Sequence, residues 1–240
     1  MKPAASTLDP GQVSALLRGE PGLLQDWIRH WSAGRMLLYG AYILLGAGTF
    51  GAAIGAWRGP EQAVYTALKF PLVILLTSLG NALLNGMLAP LLGLNLGFRQ
   101  SLLVIFMSFT IAAAILGSFS PLLLFIVWNT PPPNLSAHSV SFGYDFMQLA
   151  TVGFIAFAGV VANVRLVPLL RTLGGSRAIA YKVLLAWLAG NLFLGSQISW
   201  ILRPFIGNPR TPIEFLSQHP WEGSFYESVF HALQHLLTQP

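Results

Sequence analysis

Five stretches of this chain, at about 36–57, 65–92, 100–128, 145–164 and 183–202, are long and apolar enough to cross a bilayer, and no acidic residue falls in the middle of any of them. A pattern of that kind specifies an all-α fold, a polytopic transmembrane helix bundle. Composition agrees, because 13 basic and 8 acidic residues among 240 cannot coat a water-soluble globule of this size. Cysteine is absent, which removes disulfides, thiolate catalysis, iron-sulfur clusters and cysteine-ligated zinc together.

The stretch 100–128 is the ambiguous one. Its 29 residues exceed one untilted span and fall short of two spans with a turn, and Ser118-Phe119-Ser120-Pro121 predicts a kink or break there. Charge placement decides for five spans over the alternative six. With a single crossing, the N-terminal Lys2, Arg18, Arg29 and Arg35, the Arg99 loop and the basic loop from Arg165 to Lys182 share one side, which the positive-inside bias makes cytoplasmic. Trp57, Trp128 and Trp200 then gather at the opposite interface as aromatic anchors. The chain divides accordingly into a cytoplasmic amphipathic segment, 1–35, a transmembrane domain, 36–204, and an outer-face tail, 205–240. A multi-pass protein of the bacterial inner membrane is expected, with its N-terminus inside and its C-terminus outside.

Asp9-Pro10 and Glu20-Pro21 mark two helix starts before the first span. In the second of these helices Leu23, Leu24, Trp27, Ile28 and Trp31 recur at helical spacing, as in a helix lying in the membrane interface or packed on the protein's own cytoplasmic face. Gly51 and Gly55 form a small-xxx-small step that lets a second helix approach closely. Lys69, near the start of the second span, is expected to snorkel to the headgroups.

Because acids and histidines avoid the spans, a carboxylate proton relay and paired intramembrane haem ligands are both excluded. No cofactor is indicated. Neutral polar residues remain in the spans: Asn81 and Asn85 on one face of the second, and Asn163, Asn191 and Gln197 in the last two. They line a pore or ligand pocket, or they bond helix to helix, and the second reading is preferred. In the tail His231 and His235 are four apart, with Glu227 one turn back, the only candidates for a metal site. Without the intervening glutamate of the metalloprotease motif they fit a solvated or docked helix face better, so no metal and no catalytic residue is assigned.

The most distinctive string is Gln197-Ile198-Ser199-Trp200-Ile201-Leu202-Arg203-Pro204-Phe205-Ile206-Gly207-Asn208-Pro209, at the exit of the last span. It is an anchor: Trp200 sits at headgroup level, Pro204 ends the helix and Gly207-Asn208-Pro209 turns the chain. Arg203 runs against the positive-inside bias and therefore calls for a specific partner. The string resembles a Gln-x-x-Trp-x-Leu-Arg-Pro-Phe-x-Gly-x-Pro signature of uncharacterised bacterial integral membrane proteins. The order of spans, with Leu96-Gly97-Phe98-Arg99-Gln100-Ser101 entering the third, is loosely similar to Yip1-type five-span proteins, whose N-terminal motif this chain lacks. Neither resemblance implies an enzyme.

Three functions are expected in descending order. The first is a non-catalytic subunit or scaffold of a membrane assembly, whose partners are the lipid bilayer and other membrane subunits, with no nucleic acid. The second is a permease or channel for a neutral or lipid-like solute, beside a Yip1-like membrane-organising role. The third is an outer-interface enzyme drawing on His138, Asp145, His219, Glu227, His231 and His235.

Overall fold

The computed structural model describes residues 11–94, 96–131, 137–207 and 212–238, with the backbone alone at 137–141 and 238. Short helices α1 (Gly11–Arg18) and α2 (Pro21–Arg29) meet at Gly19, whose φ of +72° is a left-handed turn that glycine adopts without steric cost. The long helices are α3 (Ala33–Gly55), α4 (Pro60–Leu91), α5 (Phe98–Asn129), α6 (Ala137–Arg165) and α8 (Arg177–Ile201), with α7 (Val167–Gly174) between the last two and α9 (Phe225–Thr238) in the tail. Five segments are long and apolar enough to cross a membrane, the fourth running from Phe142 through α7 to Gly174. No strand occurs among the described residues.

The stretch 100–128 crosses once. Helix α5 is continuous for 32 residues, about 48 Å, and passes through Pro121 where a break was expected. Tertiary packing overrides the local signal: Pro121 itself is exposed, but Leu116, Ser120 and Leu123 on the adjoining turns are buried against the bundle and hold α5 on one path through it. The basic loop expected over 165–182 is also mostly helical. Gly175, at φ +67°, ends α7, and the Ser176 hydroxyl caps α8 by accepting the Ile179 N–H at 3.1 Å.

Helix α3 is central, with Tyr39, Ile43, Ala47, Phe50 and Ile54 fully buried. It packs on both α4 and α5, which also touch each other. Two glycine seams permit this. A Cβ on Gly51 would lie 2.5 Å from Thr66 O, and one on Gly55 would overlap Gln62 O, so the backbones of α3 and α4 are in contact there. On the other side Gly46 and Gly117 bring α3 against α5. Helix α6 flanks α5 and helix α8 flanks α4, giving an arc whose two ends are bridged by α7 at one end of the bundle and by α9 at the other. Leu68, Leu72, Leu76, Leu79 and Leu83 of α4 stay exposed, which in a bilayer is the lipid-facing side.

At one bundle end, Leu24, Trp27 and Ile28 of α2 are buried, and the helix packs on α5 and α7. Arg35 fastens this segment, donating from Nε to Gln12 Oε1 at 3.0 Å and from Nη1 to Trp27 O and His30 O at 3.2 Å. The Trp27 ring lies 4.9 Å from the guanidinium.

Candidate functional site

At the opposite end the chain leaving α8 folds back over the start of α4. Gln62 donates to Pro204 O at 3.0 Å and Phe205 O at 2.9 Å, the Thr66 hydroxyl lies 2.6 Å from Phe205 O, and the Lys69 ammonium donates to Pro204 O at 2.8 Å. All three side chains are fully buried. The ammonium also faces the rings of Phe215, at 4.9 Å, and Phe205, at 5.9 Å. Gly207 closes the turn with φ +84°, where a Cβ would stand 2.9 Å from Arg58 Cγ, so only glycine fits in both conformation and volume.

Lys69 therefore does not snorkel. Helix α4 begins at Pro60, five residues before the expected start, which places Lys69 about 14 Å along the helix. A folded-back main chain supplies the carbonyl that headgroups would otherwise provide.

Arg203 fixes the tail in the same chemical manner. Its Nη1 donates to Trp200 O and Pro220 O, both at 2.9 Å, its Nη2 donates to His219 O at 2.6 Å and Glu222 O at 3.0 Å, and it stacks 4.0 Å from the Trp200 ring centre. The planar fork of guanidinium donors suits such a set of carbonyls. Trp200 Nε1 donates to Glu222 O at 2.9 Å. Trp57 is buried and donates to Pro131 O at 3.1 Å, whereas Trp128 is exposed, and all three tryptophans lie at this end.

The span asparagines divide into two settings. Asn81 Nδ2 bonds Asn191 Oδ1 across α4 and α8 and lies 3.4 Å from Trp187 O, and Asn85 Nδ2 donates to Asn81 Oδ1 at 2.7 Å. Gly190 makes room, since a Cβ there would be 2.5 Å from Asn81 Oδ1. Asn163 turns back on its own helix, donating to Gly159 O at 2.7 Å, and Gln197 is half-buried on α8. Because three side-chain contacts converge on Asn81, Asn81→Leu is expected to lower stability by about 2 kcal/mol at roughly 0.6 kcal/mol per intramembrane bond. Chemical or thermal unfolding in detergent measures it; a loss below about 0.5 kcal/mol would mean the ladder is not holding α8.

The two tail histidines go to different partners. His231 Nε2 is 3.8 Å from Glu227 Oε1 on the exposed face of α9, whereas His235 Nδ1 reaches across to Asp145 Oδ2 of α6 at 2.6 Å. Among the described residues no group of three His, Cys, Asp or Glu side chains could hold a metal ion. The His138 side chain lies outside the described residues. Lys69, Gln62 and Thr66 are the participants that sequence reasoning missed as site residues, and Asp145, a candidate there only beside the tail histidines as a group, pairs with His235 of that group. A lone lysine in an apolar run was a visible signal, but the carbonyl it binds lies 135 residues away.

Between α5 and α6 an apolar groove of about 390 Å³ is lined by Phe119, Ile126, Ala150, Gly153, Phe154 and Phe157. A Cβ on Gly153 would meet no atom within 4 Å, in contrast to the glycines of α3 that face its neighbours. The arrangement as a whole joins backbone to side-chain cations and leaves a small-residue notch open at Gly153 on the surface of an integral membrane protein. The chain matches no family model, no curated protein and no solved structure.

Proposed function

We propose that the chain is a non-catalytic integral membrane subunit or scaffold that receives a partner's transmembrane helix in the α5–α6 groove. The observation that carries this reading is the Gly153 notch on α6: Ala150 and Gly153 line the groove, Ala156 is exposed one turn further on, and Gly153 has free space above it. Small residues on a lipid-facing surface are where helices associate in membranes, because close backbone approach replaces the hydrophobic drive that lipid removes. The cations support the same reading, since the buried Arg35 and Lys69 and the half-buried Arg203 are engaged by carbonyls of this chain.

A second reading, a site for a lipid-like solute with Yip1-like membrane organisation, is favoured by the wholly apolar character of the groove lining. The permease reading gains less from Asn81, Asn85 and Asn191, which bond one another within the α4–α8 contact. For location, Arg35, Arg99, Arg165 and Arg171 cluster at the end where α1 and α2 pack. This favours a cytoplasmic N-terminus, and the resemblance of the Arg203 string favours a bacterial inner membrane.

The test is Gly153→Leu. The added Cβ meets no atom within 4 Å and the leucine projects into the open groove, so the melting temperature should stay within a few degrees of the parent while recovery of co-purifying membrane protein from the native membrane falls at least about tenfold, a loss of about 1.4 kcal/mol or more. Unchanged recovery would remove the groove as the docking site. A lone monomer in nanodiscs at every concentration would remove the subunit reading itself.

A further inference from the structure

Helix α9 is held against the bundle by contacts that reach below its end. Gln148 of α6 donates to Ser228 Oγ at 2.8 Å, and His235 meets Asp145 as described. Tyr226 Oη lies 3.0 Å from Ser196 Oγ and donates to Leu192 O at 3.2 Å. Ser196 and Leu192 precede the end of α8 at Ile201 by five and nine residues, about 8 and 14 Å along the helix axis. The first turn of α9 therefore sits deeper than the Trp200 level, beside Leu192 and Phe193, which are exposed on the outer side of a membrane-spanning helix.

Once docked, α9 presents three distinct faces. Ser228, Ala232 and His235 turn to the bundle, with Ala232 buried. Glu227 and His231 form an exposed polar face. Tyr226, Phe230, Leu233 and Leu237, spaced four, three and four apart, form an apolar stripe that is 46%, 63%, 45% and 77% exposed. At 3.6 residues per turn the stripe and the polar face are separated by about 100°. A helix with a protein face, a polar face and an exposed apolar face that is tied to α8 through the Tyr226 hydroxyl fits a position where bundle, water and hydrocarbon meet.

We propose that α9 is a lipid-binding interfacial helix, its Tyr226–Phe230–Leu233–Leu237 stripe seated in phospholipid acyl chains and continuous with the lipid-facing surface of α8. Lipid is the occupant because the depth of Tyr226 and the adjoining exposed Leu192 and Phe193 start the stripe inside the membrane's apolar layer, from which it runs along α9. The tail is then a peripheral membrane-embedded clamp across α6 and α8, not an arm extending into solution.

The absence of cysteine from the chain makes the test direct. Single-cysteine variants Phe230→Cys and Leu237→Cys, and Glu227→Cys and His231→Cys on the polar face, are spin-labelled in the full-length protein in phosphatidylcholine vesicles. Accessibility to a water-soluble nickel chelate should be at least about tenfold lower at Phe230→Cys and Leu237→Cys than at the polar pair, with the order reversed for molecular oxygen. Equal nickel accessibility on both faces, in variants whose melting matches the parent, overturns the proposal. Spin–spin broadening at Phe230→Cys that persists at high lipid-to-protein ratio overturns it too, by placing a second copy over the stripe.

Discussion

Gly51→Leu and Gly55→Leu are each expected to destabilise the protein by about 3 kcal/mol or more, the upper end of what overpacking costs, and to lower the melting temperature by about 6–12 °C in a chain of this size. The physical cause is that the atoms in the way are backbone. A Cβ at Gly51 would stand 2.5 Å from Thr66 O, and one at Gly55 would overlap Gln62 O and lie 2.7 Å from the Ala63 nitrogen. A side-chain tip can swing aside, whereas a helix carbonyl moves only if α4 moves. That displacement would also carry Gln62, Thr66 and Lys69 away from the carbonyls of Pro204 and Phe205. Gly40→Ala in the same helix is the control, since its Cβ would meet nothing within 4 Å and alanine favours helix by up to about 1 kcal/mol. The measurement is detergent melting followed by size-exclusion chromatography. If Gly51→Leu melts with the parent, the α3–α4 seam described here is wrong.

Arg203→Ala should have the second largest effect, a loss of about 3 kcal/mol on the scale of hydrogen bonds to charged groups. Four carbonyls converge on that one guanidinium, three of them in the tail. Removing it leaves Trp200 Nε1 and Ser217 N as the remaining links between the end of α8 and residues 217–222. Limited proteolysis should then cut within that segment of the variant under conditions that spare the parent. Arg203→Lys should recover less than half of the lost stability, because a single ammonium cannot span carbonyls arrayed for a planar fork. Full recovery by lysine would show that charge alone matters there.

The two substitutions probe features of very different legibility. The glycines at 51 and 55 announce a close helix approach through spacing alone, but nothing local says whether α4, α5 or another protein makes it. Arg203 stood out because a cation at that end ran against the charge bias, and its partners turn out to be main-chain carbonyls, which have no sequence signature. Lys69 misled the reading for a related reason. Its expected snorkelling assumed a free helix start, and the folded-back Pro204–Phe205 segment removed the need for it. Pro121 shows the converse, a strong local breaker that is itself exposed and is overruled because Leu116, Ser120 and Leu123 around it are buried against neighbouring helices.

Hydropathy by itself determined the class of this protein, because each span is selected residue by residue against the same hydrocarbon thickness, and the placement of charges then decided five crossings over six. That placement likewise assigned Arg35, Arg99 and the Arg165–Lys182 stretch to one end and Trp57, Trp128 and Trp200 to the other, where Arg203 is the exception. Only the tertiary structure decided which helices meet, that α3 is central and α9 bridges α6 to α8, and that Arg35, Lys69 and Arg203 bind carbonyls. The reason is physical: crossing a membrane is a local transfer free energy summed along one segment, while helix pairing depends on shape and hydrogen-bond geometry between segments far apart in the chain.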